Sequence, residues 1–188
     1  MNSNINIFPA NLKSRQNYVN RLLTYIGQGL IKVLVGQRRV GKSYILFLLM
    51  KHLSIQKPGV KFIYLNLEDL QYDFISDYKS LHTYIDSHIK DSDEYAVIID
   101  EIQNVEGFEK VLRSLLLRGN IDLYITGSNS KMLSGELATV LTGRYIEIQV
   151  GSLSYNEFLE FQNLNNSDDA LNKGIYIFSR IKYINPYA

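Results

Sequence analysis

The chain contains no cysteine, which excludes disulfides, thiolate metal sites and a cysteine nucleophile, and fits a reducing compartment. It carries almost no net charge: 20 Lys and Arg oppose 19 Asp and Glu, leaving +1. That balance argues against a surface built throughout for nucleic acid or anionic lipid, although a local patch remains compatible with it. Long hydrophobic runs are missing as well. The longest, Tyr44 to Met50, falls far short of the ~20 residues of a membrane span. The opening Met1 to Ile7 lacks the basic and apolar regions of a secretory signal. A soluble, cytoplasmic chain without a membrane partner is expected. Only three prolines occur, Pro9, Pro58 and Pro186, and none interrupts a periodic segment. With 46% apolar and 21% charged residues in 188, the chain can bury a core, which excludes wholesale disorder.

What is present is an alternation of apolar patterns. Tyr18, Leu22, Leu23 and Ile26 recur at helical spacing within 15–28. Ile31 to Val35 is a short apolar run that reads as a buried strand. Lys42 to Leu53 is apolar nearly all round, as for a helix packed on a sheet. Phe62 to Leu65, Ala96 to Ile99, Ile121 to Ile125 and Tyr145 to Val150 read as further strands. Helices are expected around Leu81, Ile85 and Ile89, over Phe108 to Leu116, over Lys131 to Leu141, and over Tyr155 to Phe161. Five strands alternating with helices predict an α/β fold with a parallel sheet covered on both faces. Ligands of such sheets sit at the carboxyl ends of the strands.

The first strand runs into Gly36-Gln37-Arg38-Arg39-Val40-Gly41-Lys42-Ser43, which fits the phosphate-loop pattern G-x-x-x-x-G-K-[ST]. Glycines let backbone amides curl around a phosphate. Lys42 brings a positive charge to the β/γ-phosphates, and Ser43 a hydroxyl ligand for Mg²⁺. The helix that follows, from Ser43 and Tyr44 onward, turns its partly positive end to the same anion. Gly36 through Tyr44 is therefore the candidate ATP-binding segment. Arg38 and Arg39 are not required by the chemistry; they either bridge to neighbouring elements or meet a partner or phosphate.

Tyr95 to Asp100 is an apolar strand closed by a carboxylate, the Walker B pattern, in which Asp100 would hold Mg²⁺ through its water shell. Glu101 points differently and can act as general base toward water. The alternative is a helix cap. The guanine-reading pattern Asn/Thr-Lys-x-Asp is absent, because Asn172-Lys173-Gly174-Ile175 lacks the Asp; adenine is the expected base. The fourth strand ends in Thr126, Gly127, Ser128, Asn129 and Ser130. Ser128 or Asn129 would sense the γ-phosphate or the water, or else cap a helix. Glu68 and Asp69, after the second strand, support Glu101 or are solvated. Arg144 is either an arginine finger toward a neighbouring subunit or a surface ion-pair partner. The three histidines have no metal-ligand spacing, and the 14 tyrosines read as packing.

Taken in order, Val35 to Ser43, Ile99 to Val105, Tyr124 to Ser130, Leu141 to Arg144 and Leu153 to Leu159 resemble the ATPase domain of a prokaryotic AAA-type family. The resemblance covers about residues 15–161. It implies strand order 5-1-4-3-2 and assigns phosphate to Lys42 and Ser43, Mg²⁺ to Asp100, and the base role to Glu101. Sensor roles fall to Thr126–Asn129, and a finger acting between subunits of a homo-oligomer to Arg144. Residues 1–14 are then an N-terminal segment and 162–188 a truncated or atypical tail, where the family leads one to expect a lid and a C-terminal region. Three functions follow: an ATPase motor or switch acting on an unknown protein partner, a non-hydrolysing nucleotide-binding module, or a DNA-associated ATPase.

Overall fold

The structure is a computed structural model, and it describes Pro9 and residues 12–90, 92–128 and 140–164. Ser130, Asn129, most of the helix expected over 131–141 and the tail from 165 lie outside the described residues. The chain divides into two compact units, 1–151 and 152–188.

In the first unit, Ile31–Val35 (β1), Lys61–Asn66 (β2), Tyr95–Asp100 (β3), Ile121–Gly127 (β4) and Tyr145–Gln149 (β5) form one sheet. Its order is β2-β3-β4-β1-β5, with every pairing parallel. This is the expected 5-1-4-3-2 order read from the other edge. Successive side chains of a strand point to opposite faces, so each central strand feeds two cores. Val33, Val97, Ile99, Leu123 and Ile125 face helices Tyr78–His88 (α3) and Phe108–Leu116 (α4), where Leu81, Ile85, Val111 and Leu112 are buried. Leu34, Ala96, Ile98, Tyr124 and Ile148 face helices Gln16–Thr24 (α1) and Lys42–Gln56 (α2), packing with Leu22, Ile45, Leu46 and Leu49. Burial on both faces explains why β1 and β3 read as unbroken runs.

Lys32 interrupts that reading. Within an otherwise apolar strand it is fully buried, ion-paired with Asp122, and its Nζ sits 4.7 Å from the centre of the Tyr124 ring. Tyr124 in turn donates its hydroxyl to Asp122 at 2.6 Å. Burial holds the Lys32 ammonium below its usual range, with the Asp122 charge opposing that shift.

Helix starts follow local chemistry. Asp77 caps α3 through a capping box: Ser80 N–H donates to Asp77 Oδ1 at 2.8 Å, and Asp77 N–H donates to Ser80 Oγ. In the second unit, Tyr155–Gln162 (α5) is capped the same way by Ser154 and Glu157, with Leu159 and Leu164 buried together beside Phe158.

Candidate functional site

Because all five strands run the same way, their last residues meet at one edge. β1 delivers the loop 36–43, β3 delivers Asp100 and Glu101, and β4 delivers Thr126 and Ser128. The loop has two glycines with positive φ, Gly36 at +156° and Gly41 at +92°; Arg39 also sits at +67°. Gly36 has a packing reason of its own, since a Cβ there would lie 2.3 Å from the carbonyl oxygen of Val150. Gly41 is the residue that starts α2, and its carbonyl accepts the N–H of Ile45 at 3.1 Å.

Lys42 is 4% exposed. Its ammonium donates to the carbonyls of Gly36 at 3.0 Å and Gln37 at 3.2 Å, and lies 3.4 Å from Glu101 Oε1. The backbone of the loop thus curls round the same cation that the sequence pattern singled out. Gln37, Arg38 and Arg39 are exposed. Arg38 is ion-paired with Glu68 after β2, which is the bridging alternative for Arg38. Asp69 caps a short turn by accepting the N–H of Gln71. Tyr44 is exposed and packs edge-on against Phe47.

Asp100 is 2% exposed. Three neutral hydroxyls surround its carboxylate: Ser43, Thr126, and Tyr64 at 3.2 Å. Burial pushes its proton affinity above the usual carboxylate range; the hydroxyls oppose that shift and the neighbouring Glu101 charge adds to it. Glu101, 8% exposed, adopts φ +58°. That turn separates its direction from that of Asp100, as the tandem pair requires. Its N–H donates to Thr126 Oγ1 at 2.9 Å, so one hydroxyl ties both acids to β4. Glu101 precedes a short turn, Ile102–Asn104, but its side chain makes no capping bond. The helix-cap alternative is not the arrangement found.

Ser128 lies 3.3 Å from Gln103 Nε2, and Gln103 donates to Glu101 Oε2 at 2.5 Å. Asn129 lies outside the described residues. Arg144 is exposed and its carbonyl accepts the N–H of Ile31, the first residue of β1. It therefore sits at the opposite edge from the loop of its own chain, separated by the length of β1, about 15 Å at ~3.3 Å per residue. A cavity of about 240 Å³ at that same far edge, lined by Leu53, Val60, Tyr95 and Asp122 among others, is remote from the loop.

Two contributors were not legible in the sequence. Gln103 stands in the Ile99–Val105 segment but carries no signal beyond polarity. Arg15, only 3% exposed, donates to the carbonyls of Val40 at 2.8 Å and Gly151 at 3.2 Å and lies over the Tyr18 ring at 4.5 Å. It holds the phosphate-type loop from behind. An arginine just ahead of an amphipathic helix gives no hint of that.

A parallel sheet of this order, with a glycine loop between β1 and α2 and an acid pair closing β3, defines a P-loop NTPase fold. Residues 28–159 match the AAA domain family, and the chain belongs to it: it is an ATPase-type domain. It is 39% identical over 164 residues to an uncharacterized protein of Haemophilus influenzae, a match that covers 85% of this chain and 40% of that one. The chain thus spans less than half the length of this relative. Among solved structures, the Walker-type ATPase PABY2304 of Pyrococcus abyssi aligns with a TM-score of 0.56 at 17% identity, over 86% of this chain and 62% of that one. A replication initiator DnaA bound to AMPPCP and single-stranded DNA gives 0.56 at 17% identity, over 85% and 54%. Both likenesses concern the fold. Among the described residues no helix is long and apolar enough to cross a membrane.

Proposed function

We propose that the chain binds Mg-ATP and hydrolyses it as the motor or switch of a larger machine acting on a protein partner. The observation that carries this reading is the convergence of four groups at one sheet edge. Lys42 faces Glu101 at 3.4 Å, and Ser43 hydrogen-bonds Asp100. Lys42 binds the β/γ-phosphates, moving its ammonium from the carbonyls of Gly36 and Gln37 to phosphate oxygens, within a cradle formed by Gly36 to Tyr44.

Ser43 and Asp100 fit Mg²⁺: both offer hard oxygens, one of them anionic, and the anion is buried among neutral hydroxyls. When bound, Mg²⁺ neutralises charge on the phosphates. Glu101 orients the attacking water and takes its proton. Thr126 keeps the two acids apart, so that one serves the metal and the other the water. Ser128, with Asn129, senses the γ-phosphate from β4. Arg144, too far from its own loop, acts on the site of a neighbouring copy. Residues 15–161 form the ATPase domain in this reading.

Lys42→Ala should abolish the thermal stabilisation by Mg-ATP, which at 100 Kd amounts to ~2.7 kcal/mol. Glu101→Gln should keep that stabilisation and lower phosphate release roughly 10²–10⁴-fold. An unchanged melting shift in Lys42→Ala removes the binding claim. Binding without phosphate release in the wild type would leave a nucleotide-binding module.

A further inference from the structure

Gln103 is demanded by neither the phosphate loop nor the acid pair, yet its amide lies between Glu101 and Ser128. Nε2 donates to Glu101 Oε2 at 2.5 Å and lies 3.3 Å from Ser128 Oγ. Charge decides which end of the amide faces Glu101: a carboxylate only accepts, so the nitrogen must face it. The other end, Oε1, is buried without a hydrogen-bond partner. Such an oxygen is a cost, and it is tolerated here while the nitrogen stays on the carboxylate.

Glu101 itself is gripped at three points. Its left-handed backbone, φ +58°, is one that a non-glycine residue keeps only where its surroundings hold it. The N–H is held by Thr126 at 2.9 Å, Oε1 faces Lys42 at 3.4 Å, and Oε2 faces Gln103. Of the two side-chain partners, Lys42 is the one with a second task at the phosphates. Gln103 has no such task.

We propose that Gln103 is a positioning residue for turnover. Its amide fixes the rotation of the Glu101 carboxylate, keeps Oε1 as the edge turned toward the phosphate loop, and couples that orientation to Ser128 at the end of β4. This rests on the reading of Glu101 as general base. When Lys42 turns to phosphate, the Gln103 bond is the contact that keeps the carboxylate from rotating, and misorientation of a reacting group lowers rate without lowering affinity.

The experiment compares Gln103→Met, which matches the side chain in length but cannot hydrogen-bond, with the wild type, Glu101→Gln and the double variant, in steady-state ATP turnover and Mg-ATP-dependent melting. Gln103→Met should lower kcat roughly 10–10²-fold while leaving KM and the melting shift unchanged. On the Glu101→Gln background it should cause no further loss, because it acts through the carboxylate. Gln103→Asn, which keeps the amide but withdraws it by one methylene, should show the same kcat-only loss and guards against a folding defect in the first variant. A wild-type kcat in Gln103→Met, or a loss that adds in full to that of Glu101→Gln, overturns the proposal while leaving Glu101 as base. Full turnover in Glu101→Gln, or none in the wild type, removes the base reading and the proposal with it.

Discussion

Gly36 and Val150 touch so closely that packing at the sheet edge fixes the loop glycine independently of any phosphate. A Cβ on Gly36 would lie 2.3 Å from Val150 O and 3.3 Å from a methyl of Val40. Val150, just after β5, is tied to β1 by its N–H, which donates to Val35 O at 2.7 Å. Gly36→Ala must therefore push the loop and the β5 end apart. We expect it to cost about 1–3 kcal/mol without nucleotide, the range for overpacking. Gly59→Ala, where nothing lies within 4 Å, should leave stability nearly unchanged. Urea titrations of the two variants check this; equal midpoints would mean that the β1–β5 corner yields freely.

How much of this was legible in the sequence depends on the range of the interactions. Ile31–Val35 and Tyr95–Asp100 announce themselves because strands buried on both faces are apolar throughout, and the elements that carry chemistry follow them directly. Gly41, Lys42 and Ser43 are legible because one loop supplies them at fixed spacing. Arg15 is not, because its acceptors lie 25 and 136 residues away. Lys32 is hidden in an otherwise apolar run, and the Asp122 that makes its burial tolerable is 90 residues on. Gln103 is close to Glu101 in sequence, but its meaning comes from the backbone turn at Glu101 that brings the amide back to the carboxylate.

Asp100 is a buried charge surrounded by the neutral hydroxyls of Ser43, Thr126 and Tyr64, with an acid next to it. Its folded-state proton affinity is raised, so the folded chain holds a proton that the unfolded chain releases near the ordinary value of 3.8. Stability from this group is greatest below that value and is lost as pH rises through the window above it. At neutral pH, Asp100→Asn should therefore raise stability by roughly 0.5–2 kcal/mol, as when a destabilised functional site is neutralised. The same variant should lose the Mg²⁺ dependence of nucleotide stabilisation. A fall in the denaturation midpoint would show that the hydroxyl bonds to the carboxylate outweigh its burial.

Alkaline behaviour should be set by three tyrosines, of which Tyr124 is buried and Tyr64 and Tyr72 are partly buried. The Tyr124 hydroxyl, buried and facing Asp122, is held far above the phenol value of 10.0, and Tyr64 beside Asp100 likewise. Burial pushes Tyr72 up to about 12. The folded chain keeps these protons, so the stability they confer is complete below pH 10.0 and declines above it. Lys32 works the other way, since its lowered value lets the folded chain shed that proton before the unfolded chain does at 10.5. The tyrosines should dominate at the higher pH. Phenolate absorbance should show a group of tyrosines that ionise only with unfolding, and Tyr124→Phe should flatten the loss of stability above pH 10. A Tyr124→Phe profile parallel to that of the wild type would place the alkaline transition elsewhere.

Arg144 stands at the wrong edge to serve its own phosphate loop. Its carbonyl pairs with Ile31 at the start of β1, Gly143 before it has φ +72°, and its side chain is exposed. In the reading proposed above, this guanidinium serves the phosphate site of another copy of the chain. Specific activity should then rise with protein concentration as copies assemble. Arg144→Ala should bind Mg-ATP normally and lose turnover by up to ~10³–10⁵, the range for removal of an arginine finger. Mixing it with Lys42→Ala should restore part of the activity. In a mixed pair, one copy contributes an intact Arg144 to the intact loop of the other, whereas neither variant alone contains a complete site. Turnover independent of concentration, with no recovery on mixing, would leave Arg144 as a surface charge.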